Sequence, residues 1–410
     1  IFGHKTQPAI FKQAMNPYII KLQIIAGKKK RHIIGLMSGT SLDGLDIAHC
    51  TIEGSGKKAK VNLEHFITVP YNTFFKKQVK EIFAKPQIPF EQLCLLHAHI
   101  AQVHAAMVKK ALKQWKIKPK TIDLIASHGQ TVFHAPKNQH KKKNFGNATL
   151  QIGDGDQLAV KTGIITLSDF RQKHIAAGGE GAPLAAYGDY LLFSENGKNI
   201  VLLNIGGIAN FTCLYANGKI ISSDTGPGNI LMDSWVNEKI KIQSFDKNAA
   251  LALKGKILPA LLKQLMQHPY FKLPFSKTTG PEIFNTDFIK TAIQKAKVPE
   301  ENLHDILATL NRFTAETITA ALNKLNLSSK TKLYVSGGGL HNPLLMQNLK
   351  ILNPIMDFRA TTEKNILPDA KEAVLFALLA NETLCGNTSV FKKAGKNLPA
   401  INMGKISLPA

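Results

Sequence analysis

Apolar runs and glycine-rich turns follow the same order twice along the chain, about half its length apart. His32–Met37 is a short apolar run, followed by a Ser/Gly/Asp turn and a second run, Leu45–Ile52. The pair reads as a β-hairpin. Ile200–Ile205, a Gly-Gly turn and Ile208–Tyr215 repeat that pattern. Within Phe90–Trp115, residues Leu93, Leu96, Ile100, Val103, Met107 and Leu112 fall at helical spacing. Ile306, Leu310, Phe313, Ile318 and Leu322 do the same within Asp305–Leu325. Further strands are predicted at Ile122–Ser127, Ile164–Phe170, Lys219–Ser223 and Leu333–Ser336. Helices are predicted from Asn229 and over Asp369–Leu384.

Two similar α/β halves with a cleft between them follow from this order. Ligands of such sheets bind where strand ends and loops converge. The 410 residues suffice for two cores. The expected division is 32–165 plus about 370–390 for the first domain and 166–369 for the second. Residues 1–31, with little clear period, are set aside as a flexible extension.

Composition changes this picture little. The chain is 44% hydrophobic and 20% charged, as a packed enzyme would be. No stretch approaches the ~18 apolar residues that cross a bilayer. Cys50, Cys94, Cys213 and Cys385 form no C-x-x-C pair, which excludes the common zinc and redox motifs and suits a reducing cytoplasm. The net charge of +24 is unusual, but its lysines are dispersed and no aromatic-interleaved basic stripe marks a strand-binding groove. Neither a membrane nor a nucleic-acid partner is expected.

The turns carry the candidate chemistry. Gly39-Thr40-Ser41-Leu42-Asp43-Gly44, inside Met37–Asp46, joins small residues to hydroxyls, so that backbone N–H groups can approach a phosphate. Asp43 offers hard oxygen ligands to Mg²⁺. No Gly-Lys-Ser/Thr follows, so this is not a Walker A loop; a plain glycine-rich hairpin turn is the other reading. Gly206 and Gly207, in the matching turn Asn204–Asn210, could clamp the phosphates from the opposite side. Gly337-Gly338-Gly339, directly after a buried strand, would permit close packing of a flat ring such as adenine. Asp224, at a strand end beside Gly226-Pro227-Gly228, is placed for general-base work, or belongs to a turn that Asn229 caps. Ser127–Thr131, Gln151–Asp154 and Asp169–Arg171 each end a predicted strand and offer donors and acceptors to a polyhydroxylated ligand. His97, His99 and His104 do not match H-E-x-x-H spacing and read as packing or surface residues.

Taken in order, GLMSGTSLDGLD (Gly35–Asp46), SHGQT (Ser127–Thr131), DFRQKHIAAGGEGAPL (Asp169–Leu184), NIGGIAN (Asn204–Asn210), DTGPGNILMD (Asp224–Asp233) and SGGGLHNP (Ser336–Pro343) resemble the anhydro-N-acetylmuramic acid kinase family, from about His32 to the C-terminus. The resemblance implies the acetate/sugar kinase, chaperone and actin superfamily, with two RNase H-like domains facing a central cleft. It implies ATP and Mg²⁺, a cytoplasmic homodimer, and conversion of 1,6-anhydro-N-acetylmuramic acid, ATP and water to N-acetylmuramic acid 6-phosphate and ADP.

By the same resemblance, Asp224 is the catalytic base. Gly39, Thr40, Ser41, Leu42, Asp43, Gly44, Leu45 and Asp46 hold ATP, with the metal on Asp43. Gly337–Gly339 face the nucleoside, and His128, Gln130, Asp169, Arg171 and Glu372 hold the sugar. Two positions depart from the family's pattern: His174 stands where an Asp is expected, and Pro281 replaces an Arg. Another sugar or carboxylate kinase of the superfamily would share the phosphate turns. A chaperone-like, nucleotide-switched ATPase would need an appended peptide-binding domain.

Overall fold

The structure is a computed structural model that describes residues 16–182, 184–327, 331–364, 366–392, 394 and 398–410. Two sheets organise it. The first holds β1 (Lys30–Ser38), β2 (Gly44–Glu53), β3 (Lys60–Pro70), β4 (Leu124–Ala135), β5 (Ala148–Ile152), β6 (Thr166–Ser168) and a late strand, Lys405–Ser407. The second holds β7 (Ile200–Ile205), β8 (Ile208–Leu214), β9 (Ile220–Pro227), β10 (Lys332–Ser336) and β11 (Asp357–Ala360). The late strand is β12.

The two sheets share one topology. In the first, β1, β2 and β3 form an antiparallel meander, β4 lies parallel to β1, and β6 lies parallel to β4. In the second, β7, β8 and β9 form the meander, β10 lies parallel to β7, and β11 parallel to β10. The spatial orders 3-2-1-4-6 and 9-8-7-10-11 are therefore equivalent. This repeated α/β unit is the RNase H-like arrangement that the family resemblance implies.

Helices cover both sheets. Phe90–Gln114 closes one face of the first sheet with Leu96, Ile100, Ala105, Val108 and Leu112. Lys371–Cys385 lies on the other face, against β1, β2 and β4. Gly35 makes that approach possible, because a Cβ there would collide with Ala373 O. One apolar cluster joins this helix and Ala185–Phe193 to Ile200, Leu202, Leu214 and Tyr334 of the second sheet. Leu303–Asn323 covers the second sheet's other face.

Three expectations change. The segment set aside as a flexible extension lies outside the described residues up to residue 15; beyond it, Pro17–Gly27 is a helix capped by Asn16, with Ile25 buried. It joins the fold because Ile25 lies in the apolar cluster around the Lys371–Cys385 helix, with Tyr18 and Leu22 packed against it. The first sheet extends past residue 165 to β6 and takes in β12, which pairs antiparallel with β6. The strand expected at Lys219–Ser223 continues to Pro227, because β8 supplies partners that far.

Candidate active site

The β1–β2 turn sorts its residues by direction. Thr40, Ser41 and Asp43 are exposed, whereas Leu42 is buried. Leu42 has φ 59°, a left-handed conformation uncommon for a branched residue. Its side chain joins the apolar core beneath the Phe90–Gln114 helix. Leu42 thus anchors the turn and leaves two hydroxyls and a carboxylate in solvent. Gly44 is glycine for packing, since a Cβ would sit 2.5 Å from Val69 O. Leu45 is a core residue. Asp46 accepts from Thr68 Oγ1 at 2.6 Å. Burial raises its carboxyl above the usual range against that hydrogen bond, and Asp369 and Asp43 add to the rise.

β4 and the helix Phe170–Ala176 build a second group. Arg171 donates to His128 Nε2 from Nε at 3.1 Å and from Nη2 at 2.9 Å, and from Nη1 to Gly181 O at 2.6 Å. A guanidinium only donates, so His128 Nε2 accepts and its ring proton sits on Nδ1, which donates to Gly129 O at 2.9 Å. Burial, then the Arg171 charge, hold His128 neutral. Burial also lowers Arg171 to about 10, while Glu372 opposes that loss of charge. Glu372 is open to solvent yet walled in by protein. That crowding raises its carboxyl, against the pull of Lys371 and Arg171.

Gln130 and Asp169 are both engaged within the protein. Gln130 is fully buried; its Oε1 accepts from Ser38 Oγ at 2.5 Å. Asp169 accepts from Lys405 Nζ at 2.5 Å, tying the helix start to β12. His128 is likewise buried with both nitrogens committed, so it orients Arg171. His174 is 1% exposed; its Nδ1 accepts from Gly181 N at 2.9 Å. It therefore supports the same loop whose carbonyl holds Arg171.

Asp224 lies within β9 at a β-bulge. Asn210 pairs with Asp224 and Ala209 with Gly226, leaving Thr225 as the extra residue. Thr225 turns inward and donates to Ala209 O at 3.1 Å, while Asp224 stays half-buried. Thr279 N donates to Asp224 Oδ2 at 2.9 Å. Burial lifts the Asp224 carboxyl to about 6; the Thr279 amide and Lys277 oppose the rise, and Glu282 adds to it. Lys277 Nζ lies 4.1 Å from the Tyr270 ring centre and donates to Tyr270 O at 2.9 Å. Burial, then Lys324, lower it to about 8.

The glycine turns of the second half are crowded. Gly206 O and Gly207 O accept from Asn229 N and Gly228 N, each at 2.8 Å. These carbonyls fasten the start of helix Ile230–Lys239. Asn229 stands at its N-cap without a side-chain capping bond; its Nδ2 turns to Ile205 O at 3.5 Å. Gly337 has φ 84°, and a Cβ there would lie 2.7 Å from Asn204 Oδ1 and Ile205 O. A Cβ on Gly339 would collide with Ile205. Gly338 alone is exposed, with Asn229 Nδ2 3.5 Å from its Cβ direction.

Three groups thus form: the 39–46 turn with Asp369; His128, Arg171 and Glu372; and Asp224 with Tyr270, Lys277, Thr279 and Glu282. Asp46 and Glu372 interact electrostatically, which links the first two. Sequence reasoning read the Lys277–Glu282 stretch only for Pro281, which is exposed and accepts from Asn285 Nδ2 at 3.1 Å. Four polar residues around a Gly-Pro step were the available signal for a loop serving a carboxylate.

The family model described as anhydro-N-acetylmuramic acid kinase matches residues 31–407. A protein of that name from Pseudoalteromonas atlantica is 49% identical over 400 residues, covering 96% of this chain and all of that protein. One from Pseudoalteromonas translucida is 49% identical over 398 residues, covering 96% of this chain and 99% of its own. One from Caldanaerobacter subterraneus is 38% identical over 396 residues, covering 95% of this chain and all of that protein.

Proposed function

The chain belongs to the anhydro-N-acetylmuramic acid kinase family, and on that premise we propose that it opens 1,6-anhydro-N-acetylmuramic acid with water and phosphorylates its 6-oxygen from ATP. The observation that carries the reading is Asp224: a half-buried carboxyl raised to about 6, held on one oxygen by an amide. Asp224 takes a proton from a water that attacks the anomeric carbon. The bond from that carbon to the bridging oxygen breaks, and its electron pair stays on the 6-oxygen. That oxygen attacks the γ-phosphorus, and ADP leaves. The first half resembles inverting glycoside hydrolysis; the second is phosphoryl transfer by positioning and charge stabilisation.

The exposed Thr40, Ser41 and Asp43 are assigned to the ATP phosphates. Mg²⁺ belongs at Asp43. Among the described residues no three ligating groups form a cage, which suits an ion held by one or two carboxylates and by the phosphates themselves. When bound, Mg²⁺ would neutralise phosphate charge. Gly338 is assigned to the nucleoside, and Arg171 and Glu372 to the sugar, with His128, Asp169 and His174 positioning them and Gln130 supporting the Gly39 turn instead. The first domain is taken as β1–β6 with the Lys371–Cys385 helix and β12, the second as β7–β11 with its helices. A homodimer in the cytoplasm is proposed from family membership alone; no described helix is long and apolar enough to cross a membrane.

The test is ADP release from ATP and Mg²⁺ with the anhydro-sugar, wild type against Asp224→Asn. Turnover that requires this sugar and collapses in the variant supports both substrate and base. Phosphorylation of a plain hexosamine or a carboxylate, with none of the anhydro-sugar, overturns the substrate.

A further inference from the structure

A chain of buried polar groups runs from the Phe90–Gln114 helix to the β1–β2 turn. His104, Tyr71, Ser38 and Gln130 are 1%, 4%, 1% and 0% exposed. Tyr71 Oη lies 2.8 Å from His104 Nε2 and 2.8 Å from Ser38 Oγ. Ser38 Oγ lies 2.5 Å from Gln130 Oε1. Gln130 Nε2 donates to Gly39 O at 3.4 Å and Thr131 O at 3.2 Å.

The direction of every bond follows from the carboxamide. Two carbonyls face Gln130 Nε2, so that atom is the donor and Oε1 the acceptor. Ser38 must then donate to Oε1, Tyr71 to Ser38, and His104 Nε2–H to Tyr71. Among the described residues His104 Nδ1 has no partner, as expected when the ring proton sits on Nε2. Burial lowers His104 to about 3, so it stays neutral and the direction does not reverse near neutral pH. Tyr71 also holds the far end of the turn, since its backbone N–H donates to Asp43 O at 3.3 Å.

We propose that Tyr71 is a positioning residue for the nucleotide phosphates: it ties Asp43 through its amide and Gly39 through Ser38 and Gln130, fixing both ends of the turn between them. This rests on reading that turn as the phosphate site. The ring alone is a packing group, 4.1 Å from the Phe75 ring centre, and a phenylalanine would fill the same space. The hydroxyl adds order: without it Ser38 Oγ loses its donor, and Ser38 and Gln130 can settle in other hydrogen-bonding arrangements.

The experiment compares Tyr71→Phe, Ser38→Ala and Asp43→Asn by KM for ATP, KM for the anhydro-sugar and thermal melting. The expected result is an ATP KM about fivefold higher in Tyr71→Phe, the equivalent of one ordinary hydrogen bond. Ser38→Ala should move the same way, with the sugar KM near wild type and melting lowered by no more than a few degrees, the cost of the buried donor or acceptor that each change leaves unmatched. If Asp43→Asn raises the ATP KM and the other two do not, the relay is wrong and the phosphate turn stands. If none of the three moves it, the turn reading and the relay both fall. A parallel loss for both substrates with early melting would make Tyr71 a folding residue and overturn the proposal.

Discussion

Thr279 N–H donates to Asp224 Oδ2 at 2.9 Å, and Asp224 Oδ1 accepts from none of the described residues. The two oxygens of one carboxylate are thereby given different work: one fixes the side chain, the other is left for a proton. The same carboxyl is raised to about 6, so it must lose its proton before it can take one from water. The rate with saturating substrates should fall below about pH 6, with a single-proton limb. Asp224→Asn should lower kcat by roughly 10²–10⁴-fold and abolish that limb. An acid limb retained in the variant would assign it to another group.

Glu282 raises Asp224 by its charge, after burial. Glu282→Gln should therefore move the acid limb to lower pH while leaving the plateau rate nearly intact. A limb that stays in place would show that burial alone sets it. Because Glu282 is exposed, added salt should produce part of the same shift in the wild type.

Asp224 also makes the folded state pay for function through its proton. Its folded value, about 6, lies above the ordinary 3.8. Between those values the folded chain binds more protons than the unfolded chain, so stability from this group falls as pH rises from about 4 to 6 and stays lower above. Asp224→Asn should melt higher than wild type at pH 7.5, by about 2 °C for a stability change near 1 kcal/mol in a chain of this size. The gain should vanish toward pH 4. Calorimetry at the two pH values decides it, and a variant that melts lower at pH 7.5 would refute the account.

Fully buried runs were legible. β7 and β10 are found where apolar stretches end in glycine turns, and the helical spacing after Phe90 marks Phe90–Gln114. β3 was not, because the alternation Val61-Asn62-Leu63-Glu64 slips by one at His65, where its pairing with β2 shifts register, on a strand that borders solvent. The Pro17–Gly27 helix escaped because it is apolar on several sides: Ile19, Ile20 and Ile24 are exposed while Ile25 is buried. β12 pairs with β6 across more than half the chain, a contact no local pattern encodes. At the site, the motif residues fall into three spatial groups. Their rank was not visible, since burial alone separates Gln130 from Arg171 and Leu42 from Ser41. Glu282 came close to Asp224 only through folding.

Arg171 concentrates the second group's polar order. Its guanidinium meets His128 and Gly181 O together, a fork that an ammonium cannot reproduce. Arg171→Lys should raise the sugar KM about tenfold, the loss of one charge-assisted bond, with the ATP KM unchanged. His128, still buried and still beside a cation, should stay neutral, with no titration of its ring resonance near neutral pH by NMR. An unchanged sugar KM would place Arg171 in the scaffold alone.

The three glycines after β10 should separate packing from binding. Gly337 sits at φ 84° with no room for a Cβ beside Asn204 Oδ1 and Ile205 O, and Gly339 is closed by Ile205. Gly337→Ala should therefore destabilise by about 1–3 kcal/mol, through backbone strain and the displaced neighbours. Gly338 is exposed, and a Cβ there meets Asn229 Nδ2 only at 3.5 Å, so Gly338→Ala should melt like wild type. If that surface receives a flat nucleoside ring, the added methyl should still weaken ATP binding severalfold while leaving the sugar KM alone, because it occupies the contact plane and nothing else. Nucleotide titration of the stable Gly338→Ala variant gives the answer: unchanged affinity would leave Gly337 and Gly339 to packing against Ile205 and remove this turn from the ATP site.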